Sequence, residues 1–586
     1  MPIRPTSLRA VRSTVTVAFL LLGIARTGMA QKVVNMTPQT SSNESNQDSE
    51  PNLAVNPANP LQMAGTAFTP PPPGSLPNTE PIYFSADGGV TWTLNSVIPV
   101  PQSNACQGTC DVTLRFGGTS NILYVGWIDR HSRNVDTHVL RMTPFPMPPS
   151  QLSVLQDVNG FAFFSYVTAI DQPYTQATTV QSGPGSGSDR VFIGENDLAK
   201  RSANASGTGH TADLDQSLNA ATAPPPAGFA WPPTFLEGRT TCGQDGPSIR
   251  PALHASGTVY AAFFRWTQCT SVPFTSDVVV VRDDNWGAGA TPYGALMDTD
   301  GNPGKRVATG VPIPFTDPSQ PSTYLGSERI GSSLSLAVDP NNSNGVWISW
   351  ADGASPDKYT IHVRNSADSG ATWGNDVRTV TPATNPALAI NAQGVVGFLY
   401  QKYVDKGTCA RPPADTGTAC WETHLETSSV GVLWTDRVLA NTPDLPAQFD
   451  PSIGDYVHLL AVGETLYGIF SASNFPSKAN FPQDVTYQRN VDFTNQRLLD
   501  INSSTEVSVS IDPFFFSIIP NPCQGLGDEI QALEQQINEL SNLLGDPGFS
   551  QATQARIRNI IGGFERILKS EQAQLKLCEL RYSRVP

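Results

Sequence analysis

The sequence predicts an all-β chain, a β-propeller of four-stranded blades, that ends in an antiparallel α-helical hairpin. Three observations carry this prediction. Gly (48) and Pro (50) are abundant while 15% of residues are charged, a composition suited to many short strands joined by turns. One strand–turn–strand theme recurs along residues 50–520. Beyond residue 521 the apolar spacing changes to that of an amphipathic helix.

Each repeat opens on an acidic or Pro-marked start, continues as a small-residue inner strand, turns, and returns as an aromatic and β-branched strand. The first three are Glu50 to Asn56 with Met63 to Phe68, Asp111 to Phe116 with Leu123 to Ile128, and Asp171 to Tyr174 with Arg190 to Gly194. Gly246 to Leu253 with Val259 to Trp266 is the fourth, and Ser332 to Asp339 with Val346 to Trp350 the fifth. Asn385 to Asn391 with Val395 to Tyr400 and Ile453 to Val457 with Thr465 to Ser471 complete the set. Starts fall roughly 55 to 85 residues apart, the size of one blade. Seven blades are favoured over six. In the last unit, Asp484 to Asn490 and Glu506 to Ile511 offer a third and a fourth strand.

Two octets share the pattern S-x-D-x-G-x-T-W: Ser85 to Trp92 and Ser366 to Trp373. The pattern describes a tight turn. Its Asp (Asp87, Asp368) accepts backbone N–H bonds, its Gly takes angles other residues avoid, and its Trp (Trp92, Trp373) packs between sheets. Thr427 to Trp434 is a degenerate copy with Ser429 in place of the Asp, and Asp283 to Trp286 a looser one. The octets resemble the Asp-box, or BNR repeat, of sialidase-superfamily propellers. That resemblance implies a structural role for these turns, on the rim away from the active face.

The tail reads differently. Leu526, Ile530, Leu533, Ile537, Leu540 and Leu544 form one helical face; Gly545 to Gly548 breaks it. Ile557, Ile560, Phe564, Ile567 and Leu568 open a second helix, continued by Leu575 and Cys578. The expected division is a signal peptide at 1–30, a disordered lead-in at 31–49, the propeller at 50–520 and a disulfide-stapled hairpin at 521–586.

Arg4, Arg9 and Arg12 precede an apolar run from Val15 to Ala25 and a small-residue site at Gly28 to Ala30, the plan of a secretory signal. The run is short for a transmembrane span, so the expected location is secreted, periplasmic or cell-surface. Eight cysteines agree with an oxidising compartment. Their positions favour the pairs Cys106–Cys110, Cys242–Cys269, Cys409–Cys420 and Cys523–Cys578 without fixing them. The chain carries no CxxC pair and 7 scattered His, so no zinc cluster or other cofactor is expected. Asp298 to Asn302 spaces its oxygens like a calcium turn but lacks the rest of an EF-hand loop. A net charge of −15 argues against a nucleic-acid partner.

Chemistry in a propeller belongs to the rim where inner strands start and second-to-third-strand loops meet. The sialidase resemblance implies three Arg gripping a substrate carboxylate, a Tyr nucleophile activated by a Glu, and an Asp handling the proton. Candidates are Arg250, Arg265 and Arg329 for the grip, Tyr456 with Asp455 for the nucleophile site, and Asp129 or Asp171 for acid–base work. The family's early Arg-Ile-Pro motif is absent; the nearest string is Arg329-Ile330-Gly331. Three functions follow: an exo-acting glycosidase on terminal acidic sugars, a non-catalytic propeller binding glycan or protein, or a lyase or hydrolase on another polysaccharide. The hairpin reads as a cap or as an arm for a protein partner.

Overall fold

In the computed structural model of the chain each repeat becomes one antiparallel sheet. The structure describes residues 33–37, 49–68, 80–98, 111–131, 134–142, 153–158, 170–197, 212–222, 234–242, 249–271, 273–313, 334–353, 359–429, 431, 433–444, 453–500, 505–521, 523–544 and 550–582. The expected signal segment, the Cys106/Cys110 pair, Arg329 and the Gly545 to Gly548 break lie outside them. Inner strands are Ser49–Val55, Val112–Phe116, Ile170–Thr179, Arg250–Leu253, Leu334–Asp339, Ala383–Ile390 and His458–Val462. Each inner strand lies against the next, and the seventh lies against the first, so the ring closes as a seven-bladed propeller.

Each blade buries both faces, and the core is therefore divided among the seven blade–blade interfaces. Leu114, Val125 and Trp127 meet Ala54 and Ile82 between the first and second blades, and Ile122 and Tyr124 meet Val191 and Ile193 between the second and third. The other five interfaces are built alike. Burying one such side chain contributes about 1.5–3 kcal/mol. Ring closure is thus a matter of packing as much as of strand pairing.

Inner strands are also stitched across the blades. The Leu53 N–H donates to His458 Nδ1 (3.1 Å), that of Leu114 to Asn52 Oδ1 (2.9 Å), and that of Thr175 to Thr113 Oγ1 (3.0 Å). Leu388 donates likewise to Ser335 Oγ (2.9 Å). A shared ending, Leu-Ala-(Val/Ile)-(Asn/Asp), closes the strands at Asn56, Asp339 and Asn391. Their side-chain oxygens accept backbone N–H groups two residues on, forming Asx turns.

The two S-x-D-x-G-x-T-W octets fold alike. Asp87 Oδ1 accepts the Thr91 N–H and Asp368 Oδ1 the Thr372 N–H, each at 2.9 Å. The other carboxylate oxygen takes the Thr hydroxyl at 2.6 Å in both. The indole N–H of Trp92 donates to Gly89 O (3.0 Å), and that of Trp373 to Gly370 O (3.1 Å). Gly88 donates to Leu61 O and Ser369 to Asn344 O, which seats both turns beside the first-to-second-strand turn, opposite the strand starts. Trp92, Trp286, Trp373 and Trp434 each pack between their own blade and the one before it. Burial raises the Asp87 pKa, but bonds from Thr91, Ser85 and Val90 outweigh it and leave the carboxyl below its usual range. The contribution of this turn is present above about pH 4 and is lost as pH falls through the lowered value. Asp87→Ala is expected to cost about 1 kcal/mol and to flatten that acid limb, read by urea unfolding as a function of pH.

In the fifth blade His362 stacks on Trp350 (5.0 Å) between Asp376 (2.8 Å) and Asp352 (3.4 Å). Burial pulls its pKa down, yet the bonds to Asp352 and Asp376 win and hold it above the ordinary imidazole value. Its stabilising effect is full below about pH 6.5 and disappears as pH rises through the raised value. His362→Gln is expected to remove that step from the curve of stability against pH, with little change in fold.

The seventh blade departs from the expected strand assignment. Its third strand is Ile511–Ile518 and its fourth is Val33–Asn35, inside the segment read as a disordered lead-in. Val485–Thr486 pairs outside it in parallel. The last blade is thus completed by the front of the chain. A three-residue strand shows no alternation, and a pairing across some 480 positions leaves no local trace, which is why the sequence reading missed it.

The tail forms helices α1 (Gln524–Leu543) and α2 (Gln551–Tyr582), joined by Cys523–Cys578 with a Cα–Cα distance of 5.9 Å. Cys242–Cys269 and Cys409–Cys420 are also bridged. Ile530, Leu533, Ile557 and Ile561 are buried along the hairpin, whereas Ile560 and Ile567 stay 48% and 45% exposed. Among the described residues no helix is long and apolar enough to cross a membrane.

Candidate functional site

The strand-start rim is built from an unusual local conformation. Glu50, Gln172 and Asn385 each precede a proline and adopt φ of 54°, 47° and 56°. The strand register shifts at the same step in all three blades. A non-glycine residue held at positive φ stores strain that the surrounding structure must over-determine. In the seventh blade Gly454 takes φ 86°, and a Cβ there would meet Glu50 N at 2.6 Å. Only glycine lets these two blades meet so closely.

These starts bring carboxylates together. Glu50, Asp111 and Asp455 are all buried. Glu50 Oε1 accepts the Asp455 N–H (3.2 Å), and Asp111 Oδ2 accepts the Gln172 N–H (3.0 Å). Gln172 Nε2 reaches Asp455 Oδ2 at 3.5 Å. Four blades are tied at the mouth by these contacts.

Two arginines cross the channel just inside. Arg115 donates from Nε to Gln176 Oε1 (3.2 Å), from Nη1 to Leu53 O (3.2 Å) and Leu114 O (2.7 Å), and from Nη2 to Tyr174 OH (3.0 Å). Nη2 also touches His458 Nε2. Burial and the Arg115 and Arg250 charges hold His458 well below its usual pKa, so the imidazole is neutral. The donors of Arg115 are thus committed to the protein, and it acts as a tie between blades.

Arg250 is different. It is 6% exposed and makes one hydrogen bond, from Nε to Leu334 O at 3.3 Å. Its guanidinium stands 4.4 Å over the Tyr174 ring and 5.8 Å from that of Tyr456. Among the described residues no carboxylate lies within ion-pair distance of it, and its terminal nitrogens have no partner. Burial lowers its pKa, but a guanidinium stays charged in proteins. Beside it, the buried Tyr456 hydroxyl has no hydrogen-bond partner either. Burial, then the charges of Asp111 and Glu50, push Tyr456 well above the usual phenol value. A buried cation thus stands beside a buried hydroxyl that makes no hydrogen bond, an arrangement suited to an anion.

Of the residues proposed from sequence, Arg250, Asp455 and Tyr456 converge here. Arg265 does not join them: it is bonded to Asp277 (2.8 Å) and Thr240 O (2.8 Å). Asp129 and Asp171 lie in second and inner strands with side chains outside the described residues, as does all of Arg329. Glu50, Arg115, Gln172, Tyr174 and His458 were missed as site residues. Glu50 and Gln172 share one local signal with Asn385, a proline directly after each. The carboxylates of Asp298 and Asp300 are taken up by Arg239 (3.3 and 2.7 Å) and Arg306 (2.6 and 3.5 Å). Among the described residues no group of His, Cys, Asp and Glu is arranged to hold a metal ion.

No family model and no curated protein matches the chain. Among solved structures, an α-L-arabinanase from Penicillium chrysogenum is 10% identical, covering 83% of this chain and 98% of that one, with a TM-score of 0.39. The NanB sialidase from Streptococcus pneumoniae is 9% identical over 82% of this chain and 70% of its own, at 0.32. The polysaccharide lyase Uly1 is 8% identical over 71% and 91%, at 0.31. The fold assignment itself rests on the strand order and on the closed ring of inner strands.

Proposed function

We propose that this protein is an exported, glycan-acting propeller whose strand-start mouth takes the carboxylate of a terminal acidic sugar. The observation that carries the reading is the buried Arg250 guanidinium, with one hydrogen bond of its own, beside the Tyr456 hydroxyl, which has none, with Tyr174, Glu50, Asp111 and Asp455 near them. Arg250 supplies a forked donor for the carboxylate. Tyr174, already under the guanidinium, gives a flat apolar surface to a sugar ring. Three disulfides support an oxidising compartment.

In the catalytic form of this reading, Tyr456 attacks the anomeric carbon as Glu50 accepts the phenol proton. The bond to the leaving oxygen breaks as an Asp, Asp129 or Asp171, protonates it, and water then releases the sugar from Tyr456. A fluorogenic sialoside tests this directly. The expected result is turnover that Tyr456→Phe and Arg250→Ala each abolish.

One observation favours a second reading, binding without turnover. Burial, with the field of the carboxylates, holds Tyr456 protonated, which weakens it as a nucleophile. No release at high protein concentration, with saturable binding of the same sugar, decides for the second reading. Neither release nor binding rejects the site.

A further inference from the structure

The hairpin leaves apolar side chains uncovered. Ile560 and Ile567 stand seven residues apart on one face of α2, 48% and 45% exposed, and Leu543 of α1 is 41% exposed. Leu577 and Leu580 add 67% and 47% exposed side chains near the disulfide end. An amphipathic helix in water normally turns its apolar stripe inward, and a two-helix unit can cover only part of it.

Charge is divided by helix. α1 contains Asp528, Glu529, Glu534 and Glu539 and no basic residue. α2 contains Arg556, Arg558, Arg566, Lys569, Lys576 and Arg581 against Glu565, Glu571 and Glu579. Among the described side chains, none of these charges forms an ion pair across the hairpin. The Cys523–Cys578 bridge fixes the two helices as one preformed unit.

We propose that the hairpin is a homodimerisation module, docking on the hairpin of a second copy of this chain to form a four-helix bundle. A two-fold contact requires one patch that is complementary to itself. An acidic helix beside a basic one, with apolar residues between, meets that requirement: α1 faces the partner's α2 and α2 faces the partner's α1. Ile560 and Ile567 then lie in the bundle core. Arg556, four residues before Ile560, faces the acidic helix of the other copy. A partner of a single charge sign matches only half of this surface, which is why a second copy is the occupant.

The test is light scattering on the whole chain across a concentration series. The expected mass is that of two chains, and a single-chain mass at every concentration overturns the proposal. Ile560→Glu with Ile567→Glu is expected to weaken association at least tenfold with the helical circular dichroism intact. A dimer as tight as the parent overturns the surface. Should that variant lose helix, charge reversal decides. Glu534→Lys with Glu539→Lys in one chain, and Arg556→Glu with Arg566→Glu in another, should each dissociate alone and pair when mixed. Failure of the mixture to pair, or full association of either alone, overturns the proposal.

Discussion

Asp512→Ala is expected to destabilise the protein by about 3–5 kcal/mol, the cost of breaking a buried ion pair from one side. Asp512 and Arg489 face each other at 3.6 Å with both side chains fully buried. The same carboxylate accepts Asn35 Nδ2 at 2.7 Å and Asn474 Nδ2 at 3.4 Å. Asn35 belongs to the strand that completes the seventh blade. Asp512 therefore joins a charge pair to the closure of the ring. Removing it takes the carboxylate away from the buried Arg489 guanidinium and the bond away from Asn35 at once. A whole domain is stable by about 5–15 kcal/mol, so this one side chain accounts for a large share. Urea unfolding reads the loss, and hydrogen exchange at Val34 and Asn35 should rise ahead of the other blades. A cost below 1 kcal/mol would show that the closure is held elsewhere.

Arg250→Met is expected to abolish ligand binding while leaving stability unchanged or raised. The reasoning separates the two channel arginines. Arg115 spends its donors on Gln176, Tyr174 and the carbonyls of Leu53 and Leu114, so its loss would unpair several buried groups. Arg250 has one backbone bond, to Leu334, and otherwise lies against aromatic rings. Methionine keeps the contact with Tyr174 and removes a cation held in a buried site. A residue that only braced the blades would lower the unfolding midpoint when replaced. One that exists to hold an anion leaves stability alone and takes the binding with it. Thermal unfolding alongside titration separates these outcomes.

The fold was largely legible, and for physical reasons. Blade interfaces demand aromatic and β-branched second strands, so Leu123 to Ile128 and Val259 to Trp266 mark themselves by composition alone. The turn ending in Trp92 repeats at Trp373 because both must accept the same N–H groups and plug the same kind of inter-blade gap. Helical spacing identified the tail, yet it could not rank Ile560 against Ile561. Neighbouring positions on one helix differ only by what packs on them, and the structure buries Ile561 and leaves Ile560 out.

The site was less legible. Arg250, Asp455 and Tyr456 were named together, and they lie together, because strand starts share one rim, a consequence of topology that sequence order preserves. Arg265 was grouped with them but lies apart: it sits toward the end of the second strand Val259–Gln268, and its guanidinium is used locally by Asp277 and Thr240. Glu50 was read only as an acidic strand start because nothing in Glu-Pro announces a positive φ. That conformation depends on Gly454, which approaches from more than 400 positions away. Roles that arise from contacts across the ring axis have no counterpart in local spacing.

The central claim is that the channel mouth holds an anionic sugar on Arg250 and Tyr456. Calorimetric titration of the protein with a terminal acidic monosaccharide, beside the same sugar with its carboxylate reduced to an alcohol, tests it most directly. The account predicts saturable one-site binding of the acid, none of the alcohol, and none of either by Arg250→Met. Equal binding of acid and alcohol, or undiminished binding by Arg250→Met, would contradict it.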